Sequence, residues 1–134
     1  MSVASAYQIT KNLINNFNKD ACIINIASTR AFMSQKDSES YSASKGAIIA
    51  LTHSMAISLS HKVRVNSISP GWINTSNDSN FSKEDILQHP SAKIGDVSDI
   101  AATAWFICNN NFINAQNITV DGGMTKLIDR KSVV

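Results

Sequence analysis

The sequence predicts an α/β fold: a parallel sheet with helices on both faces. Two observations lead to this. Segments of helical period and short strand-like runs alternate along the chain, in the order helix, strand, helix, strand, helix, strand. That order is the one parallel sheets with right-handed crossovers produce. In addition, the run Cys22-Ile23-Ile24-Asn25-Ile26-Ala27 is apolar almost throughout, as in a strand covered on both sides.

The elements follow in turn. Val3 to Phe17 has apolar residues at helical spacing, among them Ala6, Ile9, Leu13 and Phe17. Asn18-Lys19-Asp20 breaks the period, and the isoleucine-rich strand follows. Ser28 to Ser40 is polar and aperiodic, hence a loop. A second long helix is expected from Tyr41 to about Ser60, with small residues (Ala43, Ser44, Gly46, Ala47, Ala50) suited to close packing. Val63 to Ile68 alternates like a strand and stops at Pro70-Gly71. Trp72 to Pro90 is polar, with a short helix expected at Ser82 to Gln88 because Asp85 follows Ser82 at capping distance. Asp96 to Cys108 reads as a third long helix with Ser98 as its N-cap, closed by Asn109-Asn110-Asn111. Asn117-Ile118-Thr119-Val120 is a last strand, turned away by Asp121-Gly122-Gly123. Three strands and three long helices make a thin core, and residues 1–134 read as one domain with no repeat or linker.

Composition excludes several classes. Of 134 residues, 43% are hydrophobic and 16% charged, which suits a folded chain. The net charge is +2, and the basic residues are scattered; the densest pairs are Lys62/Arg64 and Arg130/Lys131. A nucleic-acid surface would concentrate them, so no nucleic-acid partner is expected. Cys22 and Cys108 sit in apolar sequence, which predicts two small buried hydrophobes in a reduced compartment. Neither they nor His53, His61 and His89 show metal-ligand spacing. No stretch has the length of a membrane span, and the N-terminus lacks a signal-peptide pattern, so the cytoplasm is the expected location.

Parallel sheets place ligands at the carboxyl ends of their strands. Ser28 follows the first strand, Tyr41 and Lys45 open the next helix, and Pro70-Gly71 follows the second strand. Tyr41 and Lys45, four apart, share a helix face. An ammonium near a tyrosine hydroxyl favours the phenolate. A tyrosine tuned in this way can give a proton to a carbonyl oxygen or take one from an alcohol, while a serine hydroxyl holds the same oxygen. Alone, Tyr-x-x-x-Lys also describes a plain surface pair, and Ser28 an ordinary cap or turn residue.

Taken together, the segments resemble the short-chain dehydrogenase/reductase family. The resemblance lies in Ile23-Ile24-Asn25-Ile26-Ala27-Ser28, Tyr41-Ser42-Ala43-Ser44-Lys45 and Val65-Asn66-Ser67-Ile68-Ser69-Pro70-Gly71-Trp72-Ile73-Asn74-Thr75. Gly95-Asp96-Val97-Ser98-Asp99-Ile100-Ala101 and Gln116-Asn117-Ile118-Thr119-Val120-Asp121-Gly122-Gly123 are similar to family segments too. The resemblance implies an oxidoreductase that interconverts an alcohol and a carbonyl, with a nicotinamide, NAD or NADP, carrying the hydride. It implies that Tyr41 is the general acid/base, that Lys45 lowers its pKa and binds the nicotinamide ribose, and that Ser28 orients the substrate oxygen. Pro70 and Gly71 would pack by the nicotinamide, Ile73 would offer backbone groups to the carboxamide, and Thr75 would lie near the carboxamide and phosphates. His53, inside the long helix, reads as structural or interfacial.

The resemblance covers the family's C-terminal, catalytic half. Members run to about 250 residues with about seven strands, so this is a partial Rossmann-type fold with the N-terminal strands missing. The five glycines are Gly46, Gly71, Gly95, Gly122 and Gly123, and no Gly-x-x-x-Gly-x-Gly appears to receive a pyrophosphate. The residue that separates NAD from NADP is absent as well. A fourth catalytic position, often asparagine in the family, falls on Ser2 when the chain is aligned on Lys11. In the family the helices matching residues 3–17 and 41–60 pair across a subunit interface, which predicts a homo-oligomer. Two readings stand side by side: an enzyme, or an inactive fragment that pairs with itself or with a full-length homologue. An incomplete gene model would return the enzyme reading to a longer protein.

Overall fold

The computed structural model describes residues 3–76 and 79–128. Helix α1 spans Val3–Leu13, strand β1 Cys22–Ile26, helix α2 Glu39–Ser58 and strand β2 Arg64–Pro70. Strand β3 (Ile73–Asn74), helix α3 (Lys83–Leu87) and strand β4 (Gly95–Asp96) form an excursion before helix α4 (Val97–Asn109) and strand β5 (Asn117–Val120). The main sheet has the order β1-β2-β5 and both pairings are parallel. Cys22 lies opposite Arg64, and Ser67 opposite Asn117.

Side chains alternate across β2. Val65, with Ile23 beside it, packs into a core formed with Met55, Ala56, Leu59 and Val63, so α2 covers that face. Arg64, Asn66 and Ile68 point the other way, toward α4 and the loop after it. The sheet therefore has helices on both faces, as the sequence predicts. The strands step in one direction from β1 through β2 to β5, while α2 and α4 lie on opposite faces. The two crossovers thus have opposite hands, and one departs from the right-handed expectation. Residues 71–96 supply the reason: their excursion carries the chain across the strand ends before α4 begins, so the argument for a simple strand–helix–strand unit does not apply.

Several element ends differ from the sequence reading. α1 stops at Leu13 rather than Phe17, where Asn15 and Asn16 are poor helix formers. Phe17 instead packs against the core. α2 starts two residues before Tyr41. α3 has the expected start: the Asp85 amide donates to Ser82 Oγ at 3.0 Å and the Ser82 amide to the Asp85 carboxylate at 3.0 Å. The N-cap of α4 is Asp96, not Ser98. Asp96 accepts from the Ser98 amide at 2.8 Å, and Asp99 accepts from the Asp96 amide at 2.8 Å. A carboxylate at this end also faces the positive end of the helix dipole. These amide bonds hold both carboxyls below the ordinary aspartate range. The β3–β4 pair went unforeseen because two-residue strands leave no periodic signal.

The cysteines correct a second expectation: Cys22 is only half-buried and Cys108 is exposed. Cys108 ends an α4 surface that also leaves Trp105 and Phe106 open, at 72% and 57% exposure. Apolar side chains are bare elsewhere too, including Tyr7, Ile9 and Leu13 on α1, Ile57 on α2 and Ile26 at the outer strand. The outer edges of β1 and β5 carry no strand among the described residues. Among those residues no helix is long and apolar enough to cross a membrane, and no group of acidic, histidine and cysteine side chains could hold a metal.

One side chain closes the α4 face. The Arg64 guanidinium donates to the carbonyls of Ile107 (3.0 Å), Cys108 (2.9 Å) and Ile113 (3.0 Å). It thereby adds a charged donor to carbonyls of the last turn of α4 and ties helix, loop and central strand together. Arg64→Met should cost about 3 kcal/mol, because three acceptors lose a charged donor. A shift in the urea midpoint measures this, and an unchanged midpoint would refute the clamp.

Candidate active site

The site lies at the carboxyl ends of β1 and β2. β1 ends at Ile26, and the next residues form a tight 3-10 turn, Thr29–Ala31, capped by Ser28. Ser28 Oγ accepts from the Arg30 amide at 3.2 Å. The cap role and a site role are compatible: with its oxygen occupied as an acceptor, the hydroxyl hydrogen remains available to a ligand. The Ala27 amide donates to the Ile68 carbonyl at 2.8 Å, fixing the start of this turn to β2.

Tyr41 is the third residue of α2, and Lys45 follows one turn later. Lys45 Nζ stands 5.7 Å from the Tyr41 ring centroid. It donates to the Ile26 carbonyl at 3.2 Å, which aims the ammonium at the strand end. One of its three donors is thereby used, and two remain. Tyr41 is 48% exposed, so its hydroxyl is open to a ligand.

Pro70 closes β2, and Gly71 follows where two backbones nearly touch. A Cβ at Gly71 would stand 2.7 Å from Asp121 Cβ and 2.8 Å from Asp121 Cα. Only glycine allows β2 and β5 to finish this close together. Asp121 anchors the opposite side by accepting from the Gly123 amide at 2.9 Å and the Thr125 amide at 2.8 Å. Burial pushes its carboxyl up, but these bonds outweigh burial and hold it below the ordinary range. Gly122 and Gly123 have φ of 61° and 85°, the left-handed region that glycine adopts freely.

All seven residues singled out in the sequence line one cavity of about 410 Å³: Ser28, Tyr41, Lys45, Pro70, Gly71, Ile73 and Thr75. Its other walls include Val97 and Ile100 from the start of α4. Ser2 lies outside the described residues. The chemistry of the walls suits a nicotinamide and its ribose. Pro70, Ile73, Val97 and Ile100 make an apolar side, opposed by the hydroxyls of Ser28 and Tyr41 and the ammonium of Lys45. Gly95 supports that side: a Cβ there would meet Ile73 Cδ1, so the glycine lets β4 lie against β3.

A second cavity, about 440 Å³, shares Ser28, Tyr41 and Gly71 with the first. Its remaining walls come from residues the sequence did not single out: Thr29, Arg30, Gln35, Ser38, Trp72 and Met124. Only their nearness to Ser28 and Tyr41 in sequence could have marked Arg30, Gln35 and Ser38, and Met124 carried no signal at all. Trp72 is braced by Phe81, edge-on at 5.9 Å between centroids, and by His89 at 6.1 Å.

Comparison with known proteins gives one family and a consistent set of relatives. The family model described as enoyl-(acyl carrier protein) reductase matches residues 1–125. An uncharacterized oxidoreductase of Thermotoga maritima is 51% identical over 115 residues, which are 77% of this chain and 45% of that protein. Among solved structures, an apo SCOR enzyme from Clostridium thermocellum superposes with a TM-score of 0.82 at 44% identity, covering 94% of this chain and 50% of that one. A 4-hydroxyisoleucine dehydrogenase complexed with NADH gives a TM-score of 0.77 at 31% identity, covering 92% of this chain and 54% of that one. The chain spans about half the length of the curated relatives it matches.

The close approach at Gly71 makes a direct prediction. Gly71→Ala forces β2 and β5 apart at the site and should cost about 1–3 kcal/mol, as overpacking does. A lowered urea midpoint measures it; a variant as stable as the parent would show that the contact is not tight.

Proposed function

Because the chain belongs to the short-chain dehydrogenase/reductase family, we propose that it carries the proton-handling half of an oxidoreductase that interconverts an alcohol and a carbonyl. One observation carries the reading. Separate segments bring Ser28, Tyr41, Lys45 and the Pro70–Gly71 turn to a single cavity at the carboxyl ends of parallel strands.

When bound, a nicotinamide cofactor, NAD or NADP, would supply or receive the hydride. The relative complexed with NADH supports this choice. Lys45 would hold the ribose with its two remaining donors. Pro70, Gly71 and Ile73 would flank the nicotinamide, with Thr75 toward the carboxamide and phosphates. In the reducing direction, Ser28 donates its hydroxyl hydrogen to the substrate carbonyl oxygen and fixes its position. Tyr41 passes its phenolic proton to that oxygen. The Lys45 ammonium opposes the negative charge then left on Tyr41. In the oxidising direction the same proton returns to Tyr41.

The bare apolar side chains of α1 and α2 support a second part of the reading: two copies pair through these helices. Light scattering should then report a species heavier than one chain, and Tyr7→Lys with Leu13→Lys should return it to the monomer. A monomeric parent would rule the pairing out.

An inactive chain is the competing reading, favoured by the absence of a Gly-rich loop among residues 1–134. Cofactor titration separates the two. Saturable NADH or NADPH binding is expected, with carbonyl reduction falling about 10²–10⁴-fold in Tyr41→Phe while binding persists. No binding at millimolar cofactor would sink the enzyme reading for this chain.

A further inference from the structure

We infer that the second cavity is a subsite for an oxyanion group of the substrate, a carboxylate or phosphate ester, and that Arg30 is its anchor; this rests on the oxidoreductase reading. The cavity opens on Ser28 and Tyr41, so whatever fills it is the part of the substrate beyond the reacting carbon. Arg30 is half-buried in its wall. Its backbone is fixed by the 3-10 turn and by its amide bond to Ser28 Oγ, so the side chain starts from a fixed point beside the serine.

Among the described residues that guanidinium has neither a hydrogen bond nor an ion pair. The single ion pair described there is Lys93 with Asp99. Among the described residues no carboxylate lines the cavity: Asp37 and Glu39, which flank Ser38 in sequence, stay outside it. A half-buried cation with no local acid is a ready partner for an incoming anion. The planar fork of arginine suits two oxygens of a carboxylate or phosphate at once.

The other walls indicate what carries the anion. Among the described residues the Gln35 side chain has no partner, whereas Ser38 Oγ already donates to the Gln35 carbonyl at 2.7 Å. Trp72, braced on two sides, offers a flat face to C–H groups. A polar wall with one amide, one cation and one indole fits a short hydroxylated acid or sugar phosphate. A long acyl chain would need an apolar channel, and the described walls of this cavity form none.

The test uses the 134-residue chain and needs no cofactor. D-gluconate, D-glucose 6-phosphate and D-glucose are titrated separately while the amide signals of Ser28, Arg30 and Gly71 are followed by NMR. Shifts with gluconate or glucose 6-phosphate, but not with glucose, support the subsite, and whichever anion acts identifies the group. Arg30→Gln should weaken that binding tenfold or more with the remaining spectrum unchanged, and Arg30→Lys should restore part of it. Glucose shifts as large as those of the anions, no shifts with either anion, or full anion affinity in Arg30→Gln would each overturn the inference. The oxidoreductase reading fails separately, by absent nicotinamide binding, so the two failures are distinguishable.

Discussion

Strand β2 sets the terms for the rest of the molecule. Residues Val65 to Ser69 are buried in succession, and three of the five are polar: Asn66, Ser67 and Ser69. A buried polar group without a partner costs about 1–3 kcal/mol, so each of these must be answered by a neighbour. Ser67 and Ser69 both donate to Asn117 Oδ1, at 2.9 and 2.8 Å, which fixes β5 in register. Asn66 donates to the Ile113 carbonyl and accepts from the Gln116 amide, each at 3.0 Å, which shapes the loop before β5. On β1, Asn25 donates to Thr52 Oγ1 at 3.0 Å and links the sheet to α2. Apolar packing holds these layers together, while the polar pairs decide how they are aligned.

That alignment reaches the site. With β5 in register against β2, Asp121 comes to stand beside Gly71, and the strand ends converge. The same convergence places Ser28 and Tyr41 between two cavities of different character. One has apolar walls facing an ammonium and two hydroxyls; the other has an indole, an amide and a guanidinium with no partner among the described residues. The proposed reaction, joining a flat cofactor ring to a polar substrate, would use this division, with Ser28 and Tyr41 at the boundary.

Much of this was legible in the sequence. The isoleucine run, the helix spacing of residues 41–60 and the Ser82–Asp85 pair announced β1, α2 and α3 directly. Ser28, Tyr41, Lys45 and Pro70-Gly71 pointed to the strand ends because parallel sheets concentrate ligands there. What escaped was decided by tertiary contact. Asp96 rather than Ser98 caps α4 because Asp99 returns the bond. Cys108 is exposed because its position on α4 looks outward, which its apolar neighbours in sequence could not reveal. The second cavity draws Trp72 and Met124 from distant segments, and neither carries a local pattern. The opposite hands of the two crossovers depend on residues 71–96, whose composition says only that they are polar.

The open edge of β1 and the bare faces of α1 and α4 bear on what stability means for this chain. Anything that covers those surfaces, a second copy included, binds the folded form and not the unfolded one. Mass action then raises the apparent stability with the concentration of that partner. An unfolding midpoint for these 134 residues is therefore a property of the solution as much as of the molecule. With a second copy as that partner, as proposed, dilution alone would shift the balance between fold and coil.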